Sequence, residues 1–370
     1  MNAQHFSSHK NRLRCWCEIS LAALKHNLRA IRRKIGPRPA IMGLVKANAY
    51  GHGLIPIARF LAQNDCQELG CAHVGEAQAL RKAGVRLPIL LLSGFLEEEL
   101  PEAILQNLMI TVSSLEECRM VERAARSLKR RSMVQIKINT GMGRLGADCR
   151  HAAQLMKAVQ TSQWLDWKGV FTHHACADSD KDLTLRQWRA FESARARGVR
   201  HHSCNSAAVF ILPQAHGDGV RPGLAFYGVS PIPKFQKLLR PALSWKARIT
   251  FVRDTPKGAT LSYGATYRTP RRMDIATVAV GYGDGLFRSL SNKGEVLVSG
   301  QRCRILGRVT MDQILVDVSR VKNAKKGTEV VLLGKQGNQS ILASEMAKGA
   351  DTIPYEIWTS ITERVPRFYI

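Results

Sequence analysis

The sequence predicts an α/β protein with an N-terminal (β/α)8 barrel and a C-terminal, mostly β domain. From Glu18 to about Pro231, eight short apolar runs alternate with helix-like segments, which is typical of a parallel barrel. After Pro231 the pattern changes to β-branched runs between glycine-rich turns. We therefore place the barrel at residues 15–235 and the second domain at residues 236–370. A doubly wound open sheet is the alternative, although no Gly-x-Gly-x-x-Gly turn follows the first strand.

The elements follow in order from these patterns. Ser20 is placed to cap a first helix, whose apolar residues recur on one face. The predicted barrel strands are Ala40–Val45, Leu69–Val74, Ile89–Leu92, Met109–Thr111, Met133–Ile138, Lys168–Thr172, Arg200–Ser203 and Gly219–Pro222. Helical periodicity lies between most of them, as in Leu54–Gln63, Glu76–Ala83, Glu97–Asn107, Leu115–Leu128 and Leu183–Arg197. The second domain has β-branched runs at Lys246–Val252, Ile275–Val280, Glu295–Val298, Ile314–Val318 and Glu329–Leu333.

Composition limits the classes of function. The formal charge of +26 favours anionic partners, but it is spread along the chain without a nucleic-acid motif, so solvated basic faces explain it better than specific nucleic-acid binding. No apolar run approaches a membrane helix, and the polar, basic residues 1–14 do not resemble a secretory signal, so we expect a cytoplasmic protein. The nine scattered cysteines lack a CxxC pair, which indicates reduced thiols and no metal site.

Lys46 is the most informative single residue. It follows the first predicted barrel strand, and a loop of small residues and glycines comes next. Burying an unpaired ammonium is costly, and desolvation lowers the pKa of lysine, so a strand-end lysine is suited to covalent chemistry with an aldehyde such as pyridoxal phosphate (PLP). The alternative is a lysine that reaches out to water. Tyr50, four residues on, and the loop glycines favour the first interpretation.

Other polar residues stand at the ends of later predicted strands, where barrel active sites lie. Asn205 and Ser206 open a predicted helix that could bind phosphate, although Ser206 could also be a plain helix cap. Arg221 and Gly223 follow the eighth strand, and an ion pair is the alternative role of Arg221. The loop after strand five could direct Arg144 towards a carboxylate. His173, which ends strand six, would more often be structural if it stood alone.

Together with several longer motifs, these residues resemble those of the alanine racemases. The motifs are Val45–Gly53, Thr140–Gly146, Ser262–Tyr267, Gly281–Gly285, Gly307–Gln313, Ile353–Glu356 and Arg364–Arg367, and the resemblance extends from about Cys15 to Arg367. It implies a PLP enzyme with a barrel and a β domain, acting as a homodimer on alanine and supplying D-alanine for peptidoglycan. The implied catalytic bases are Lys46, which carries PLP, and Tyr263, donated by the partner subunit.

The resemblance also implies the remaining site residues. Cofactor contacts would come from Tyr50, His173, Asn205, Ser206, Arg221, Gly223, Leu224 and Tyr355. Substrate contacts would come from Arg144, Met311 and Asp312. Arg221 would donate a hydrogen bond to the pyridine nitrogen without giving up its proton, which favours racemisation over transamination. Lys137 matches a lysine that is carbamylated in some members; an ordinary paired lysine is the alternative.

Three positions depart from the commoner family pattern. Asn139 stands where aspartate is frequent, Thr310 where cysteine is frequent, and His174 where an apolar residue is frequent. All three lie beside implied site residues, so they leave the reaction class unchanged but make the substrate range less certain. The alternatives are a serine racemase, a PLP-dependent decarboxylase with the same layout, and a PLP-binding carrier that would lack the β domain. Retention of Tyr355 favours alanine over serine.

Overall fold

The structure is a computed structural model that describes residues 12–370, so most of the polar, basic segment 1–14 lies outside the described residues. The described chain forms two compact units. The barrel unit contains residues 25–49 and 53–239, and the sheet unit contains residues 12–24, 50–52 and 240–370. The chain therefore contributes to the sheet unit from both of its ends.

The barrel unit is a closed cylinder of eight parallel strands, as predicted. In barrel order the strands are β2 (Ala40–Leu44), β3 (Glu68–Cys71), β4 (Ile89–Leu91), β5 (Met109–Val112), β6 (Ser132–Asn139), β8 (Leu165–Phe171), β9 (His201–His202) and β10 (Gly219–Val220). Pairing of β10 with β2 closes the cylinder, and the two-residue β7 (Ala147–Asp148) pairs with the end of β6. All eight predicted strands are confirmed. Their side chains at the carboxyl ends therefore meet around one rim.

Helices alternate with these strands. They are α1 (Leu21–Ile35), α2 (Leu54–Ala62), α3 (Val74–Lys82), α4 (Leu100–Leu105), α5 (Leu115–Ser127), α6 (Cys149–Thr161), α7 (Lys181–Ala194) and α8 (Ser206–Ile211), with short 3-10 turns at Glu97–Glu99, Pro213–Ala215 and Pro233–Leu238. The helix α5 shows why such segments form. The Ser114 hydroxyl accepts from the N–H of Glu117 at 3.0 Å and caps the helix, and Cys118, Val121 and Ala125 recur on its buried face.

The sheet unit is built on one nine-stranded, mostly antiparallel sheet. Its strands, in spatial order, are β19 (Gln339–Ile341), β18 (Glu329–Gln336), β15 (Glu295–Val298), β16 (Gln301–Leu306), β17 (Ile314–Asp317), β14 (Met273–Val278), β11 (Leu243–Thr255), β1 (Cys15–Ile19) and β20 (Arg367–Tyr369). A small hairpin, β12 (Thr260–Leu261) with β13 (Tyr267–Arg268), and the helices α9 (Ala343–Ala350) and α10 (Pro354–Thr359) complete the unit. The predicted mostly β second domain is therefore confirmed as a fold class.

The strand β1 lies in this sheet, whereas the predicted barrel limits of 15 and 235 include it. It pairs antiparallel with β11, with Cys15 opposite Ala247, and parallel with β20. Trp16 is fully buried, and its indole N–H donates to Glu18 at 3.0 Å. Lys246 on β11 lies 2.9 Å from Glu18 and 3.4 Å from Glu329 on β18, so an ion-paired lysine joins three strands of the sheet.

The described residues contain neither a membrane-spanning helix nor a cluster of metal ligands. Among residues 12–370, no helix combines the length and apolar character needed to cross a lipid bilayer. Within the same range, no group of three or more His, Cys, Asp or Glu side chains is arranged to hold a metal ion. All nine cysteines carry free thiols, and most are buried.

Candidate active site

Lys46 follows β2, separated from it by Val45, at the carboxyl-terminal rim of the barrel. Its side chain is partly buried, and burial lowers the pKa of its amine; the nearby Arg144 lowers it further, while Glu76 acts in the opposite direction. A lysine with a lowered pKa has a larger fraction of neutral, nucleophilic amine at neutral pH. The position and the environment of Lys46 therefore suit attachment to an aldehyde.

The four residues after Lys46 form a left-handed helical turn. Residues 47–50 all have φ angles between 50° and 54°, and none of them is glycine. Left-handed backbone costs L-residues about 1–2 kcal/mol each, so this turn is strained and must be held by its surroundings. The N–H of Ala49 donates to the carbonyl of Val45 at 2.7 Å, and the side chain of Asn48 accepts from Leu54 N–H at 2.7 Å. The turn fixes the backbone that carries Lys46.

Cationic side chains cluster within the barrel. Lys137 and Arg221 are almost fully buried, with Lys137 Nζ 5.5 Å and Arg221 Cζ 5.3 Å from the centre of the Phe171 ring. Burial lowers the pKa of Lys137 to about 8, and the charges of Arg221, Arg144 and Lys46 act in the same direction. The barrel therefore concentrates positive charge and is suited to anionic ligands.

Arg221 is held rigidly by the barrel backbone. Its Nη2 donates to the carbonyls of Thr172 at 2.6 Å and Ser203 at 3.1 Å, and its Nη1 donates to the carbonyl of His202 at 3.1 Å and to the ring Nδ1 of the same histidine. No hydrogen bond from its Nε is formed to any described residue. The guanidinium is thus fixed through both terminal nitrogens and retains one N–H donor for a ligand.

His202 is a site residue that our sequence reasoning missed. Its Nε2 lies 2.7 Å from Oε1 of Gln135, which can only accept, so Nε2 carries the proton and Nδ1 accepts from Arg221. Its ring stacks on Phe171 at 5.0 Å, and burial next to the Arg221 cation lowers its pKa well below the usual value. The available signal was Gln135, a polar residue that is fully buried in the middle of β6.

Two consecutive histidines follow the end of β8 and have different surroundings. His173 is partly buried, and burial followed by the charges of Arg221 and Lys137 lowers its pKa strongly, so it is neutral at physiological pH. His174 is only 1% exposed, and neither of its ring nitrogens has a hydrogen-bond partner among the described residues. Burial, and then Arg221, lowers the pKa of His174 to about 4. Both rings therefore add no positive charge to the barrel.

Four of the predicted cofactor contacts, Asn205, Ser206, Gly223 and Leu224, lie around the start of α8. Asn205 is the helix cap, because its side chain accepts from Ala208 N–H at 3.0 Å. This leaves Ser206 in the first turn, where its hydroxyl accepts from Ala225 N–H at 3.1 Å. The preceding N–H groups of Gly223 and Leu224 donate to no described residue. Ser206 and these two amides form a small cradle of donors.

Arg144 is exposed and lies in the predicted glycine-rich loop. Asn139 shapes this loop, because its side-chain oxygen accepts from the N–H groups of Gly141 at 3.1 Å and Gly143 at 2.9 Å. Gly146 has φ +122°, and a Cβ there would lie 2.7 Å from the nitrogen of Asn139. The amide of Asn139 therefore supplies the acceptor geometry that an aspartate would also supply, without the charge.

The remaining predicted residues belong to the sheet unit. Tyr263 is 73% exposed in the 3-10 turn Tyr263–Ala265, and Met311 is 51% exposed. Both line a surface cavity of about 920 Å3. Asp312, on the same cavity, forms an ion pair with Arg364 at 2.7 Å.

Ser262 fixes the Tyr263 turn, because its hydroxyl donates to the carbonyl of Arg308 at 2.7 Å. Gly264 has φ +71°, and a Cβ there would lie 3.2 Å from Cζ of Arg308. Within the same unit, the rings of Tyr50 and Tyr355 lie 5.6 Å apart. Tyr50 is buried, and burial raises the pKa of its phenol, which therefore stays protonated and able to donate. The predicted site residues thus fall into two groups, one in each unit.

Comparison with known proteins identifies the family of the two units. The model of the alanine racemase N-terminal domain matches residues 19–231, and that of the alanine racemase C-terminal domain matches residues 242–369. The alanine racemase of Methylacidiphilum infernorum is 40% identical over 358 residues, covering 96% of this chain and 92% of the relative. That of Desulforamulus reducens is 39% identical over 368 residues, covering 96% of this chain and 98% of the relative.

Solved structures of alanine racemases have the same fold as this chain. The alanine racemase from Streptomyces lavendulae, a D-cycloserine producer, superimposes with a TM-score of 0.90 at 38% identity, covering 97% of each chain. The Bartonella henselae alanine racemase, which has covalently bound pyridoxal phosphate, superimposes with a TM-score of 0.89 at 28% identity, covering 96% of this chain and 99% of that chain. The sequence and fold agree with these enzymes over nearly the whole length, and the chain belongs to the alanine racemase family of isomerases.

Proposed function

We propose that this protein interconverts L-alanine and D-alanine, with PLP attached to Lys46 and with Lys46 and Tyr263 as the two bases. The observation that carries the proposal is the arrangement around Lys46: an amine with a lowered pKa on the barrel rim, in a unit that also fixes Arg221 and a cradle of backbone donors. The Bartonella henselae relative carries the same cofactor covalently.

The residues present fit PLP. The unengaged N–H groups of Gly223 and Leu224, with the Ser206 hydroxyl, supply donors for a phosphate. The Nε–H of Arg221 supplies a donor for the pyridine nitrogen, and an arginine with a pKa of about 10 keeps its proton near neutral pH. When bound, PLP withdraws electrons from the substrate Cα and makes its proton more acidic. Tyr50 and Tyr355 are further candidate phosphate donors.

Racemisation needs the Cα proton to leave one face and return on the other. We assign these steps to the Lys46 amine and the Tyr263 phenol, acting from opposite faces. The exposure of Tyr263 in the single chain favours its donation to the site of a second copy, which makes the active form a homodimer. Arg144 and Met311 are the proposed contacts of the substrate carboxylate, with Asp312 beside them.

Lys137 is proposed to carry a carbamate. An ammonium there would lie among the charges of Arg221, Arg144 and Lys46, and its lowered pKa leaves a substantial neutral fraction that can add carbon dioxide. The modification replaces a cation by an anion. The anion would then orient Arg144 towards the substrate. We further propose that the D-alanine formed supplies peptidoglycan synthesis in the cytoplasm.

The proposal is tested with purified protein, PLP and L-alanine in D2O, followed by chiral chromatography and mass spectrometry. We expect D-alanine with deuterium at Cα, and little turnover of L-serine under the same conditions. Lys46→Ala should abolish turnover, and borohydride reduction should fix PLP to Lys46 in the unmodified protein. Absence of D-alanine, or fixation of PLP to another lysine, would contradict the assignment.

A mixing experiment tests donation of Tyr263 across subunits. Lys46→Ala and Tyr263→Phe chains are each expected to be inactive. If one site combines Lys46 of one chain with Tyr263 of the other, unfolding and refolding the two variants together should create one intact site in each mixed dimer. Random pairing then restores about a quarter of the normal activity. If both residues act within one chain, the mixture remains inactive.

A further inference from the structure

The strained turn after Lys46 needs an external partner at its first residue. The bonds within the turn begin at Ala49, whereas the N–H of Ala47 has no acceptor inside the turn. A left-handed start immediately after Lys46 decides where the lysine side chain points, because the φ and ψ angles there set the direction of the adjoining backbone. Whatever binds the Ala47 amide therefore affects the position of Lys46.

Glu76 on α3 supplies that partner. One carboxylate oxygen, Oε1, accepts from the N–H of Ala47 at 2.6 Å, and the other, Oε2, accepts from the N–H of Ala72 at 2.8 Å. Ala72 follows β3, the neighbour of β2 in the barrel. A single carboxylate thus links the loops after two adjacent strands with two short, charge-assisted hydrogen bonds.

A second glutamate in the barrel, which caps its own loop but does not bond to a neighbouring loop, provides a comparison for Glu76. Glu117, in the first turn of α5, accepts from the N–H of Ser113 four residues earlier at 2.5 Å, as Glu76 does from Ala72. The bonds formed by Glu117 stay within its own strand–helix connection. Local capping of a loop therefore needs one oxygen, and the second oxygen of Glu76 is directed to the loop that carries Lys46.

Glu76 also differs in charge from its surroundings. Arg144 and Lys137 place positive charge near Lys46, and Glu76 is the acidic group that acts on the same amine. Negative charge near an amine stabilises its protonated form and opposes the effect of burial. Glu76 can therefore influence both the direction of the Lys46 side chain and the pH range in which its amine is neutral.

We propose that Glu76 is a positioning residue for Lys46, holding the first amide of the left-handed turn and placing a compensating negative charge beside the amine. This inference rests on the proposed role of Lys46 in PLP attachment. It assigns control over the reactive amine to a residue of the helix α3. A purely structural role of Glu76 would instead affect stability alone.

The test uses the full chain freed of PLP and compares Glu76→Gln, Glu76→Asp and the matched control Glu117→Gln. Competitive acetylation of Lys46 over a pH series, read by mass spectrometry of its peptide, gives the midpoint at which the amine becomes neutral. The rate of PLP attachment is then measured at high pH, where the amine is neutral in every variant, by borohydride trapping. Thermal unfolding reports stability.

We expect Glu76→Gln to move the acetylation midpoint to lower pH and to slow PLP attachment at high pH by about tenfold or more, because the amine is misdirected. Glu76→Asp keeps the charge but is too short to reach both amides, so it should retain the midpoint and still slow attachment. Glu117→Gln should lower the unfolding temperature without changing either Lys46 measurement.

An unchanged midpoint and an unchanged attachment rate in the Glu76 variants, with a loss of stability like that of Glu117→Gln, would overturn the inference. If Glu76→Gln fails to fold, Glu76→Asp alone decides the question of position through its attachment rate. Failure of the proposed function is distinguishable, because the unmodified protein would then show no PLP fixed to Lys46 by borohydride.

Discussion

Replacing His174 by leucine should stabilise the protein and make its stability less sensitive to acid. The ring is 1% exposed, and both of its nitrogens lack a hydrogen-bond partner among the described residues. Leucine has a similar volume and no polar atoms, so it removes the desolvation cost with little repacking. We expect the free energy of unfolding to rise by about 1–2 kcal/mol at pH 7.5.

The pH dependence of the free energy of unfolding gives a more specific prediction. His174 has a pKa of about 4 in the folded protein, against an ordinary value of 6.5. Between pH 4 and pH 6.5 the unfolded chain binds more protons at this histidine than the folded chain does. Stability therefore rises with pH over this range and is lost as the pH falls below 6.5. At pH 5 the unfolded histidine is almost fully protonated and the folded one is about 10% protonated, which costs about 2 kcal/mol relative to pH 7.5.

The assay is urea unfolding of both proteins at pH 7.5 and pH 5.0, at equal protein concentration. The variant should lose about 2 kcal/mol less than the unmodified protein over this pH interval. The loss should not vanish, because His173 and His202 are also held neutral by burial and cations. An equal loss in both proteins would show that His174 is solvated or hydrogen-bonded in the native state and would refute the reasoning.

Three other predictions concern buried charge. Lys246→Met removes the ammonium that Glu18 and Glu329 contact, so the free energy of unfolding measured in urea should fall by about 3 kcal/mol or more. A fall below about 1 kcal/mol would argue against an important ion pair. Arg221→Glu should slow racemisation and raise the ratio of pyruvate to D-alanine formed, and an unchanged ratio would count against its role at the pyridine nitrogen. Protein equilibrated with 13C-bicarbonate should show a carbamate carbon signal that is absent in Lys137→Gln; an identical spectrum in both proteins would exclude the modification.

The barrel could be predicted from sequence because each strand is a short apolar run followed by polar residues. The pattern placed Lys46 and Arg221 at strand ends, where the structure has them. The strand β1 could not be assigned in this way. Its partner Ala247 lies more than 200 residues from Cys15, and no local pattern records which of two sheets an apolar strand will join.

The left-handed turn was also beyond local prediction. Positive φ angles are normally indicated by glycine, and residues 47–50 contain none. The turn exists because groups distant in sequence hold it, including Glu76, whose carboxylate bonds to Ala47. The same explanation applies to His202, since its contacts with Gln135 and Arg221 arise only when three strands close the barrel. Tertiary contacts, rather than propensity, determine these features.

The charge balance of the barrel favours anionic ligands. Burial and then the charges of Arg221, Arg144 and Lys46 lower the pKa of Lys137. His173 nearby is kept neutral first by burial and then by the Arg221, Lys137 and Arg144 cations, which lower its pKa further. A pKa of about 8 leaves roughly a tenth of Lys137 neutral at pH 7 and half at pH 8, and only the neutral amine can add carbon dioxide. The proposed cofactor phosphate, substrate carboxylate and carbamate would each add negative charge to this cluster. The cation-rich barrel is therefore suited to a site that anionic ligands complete.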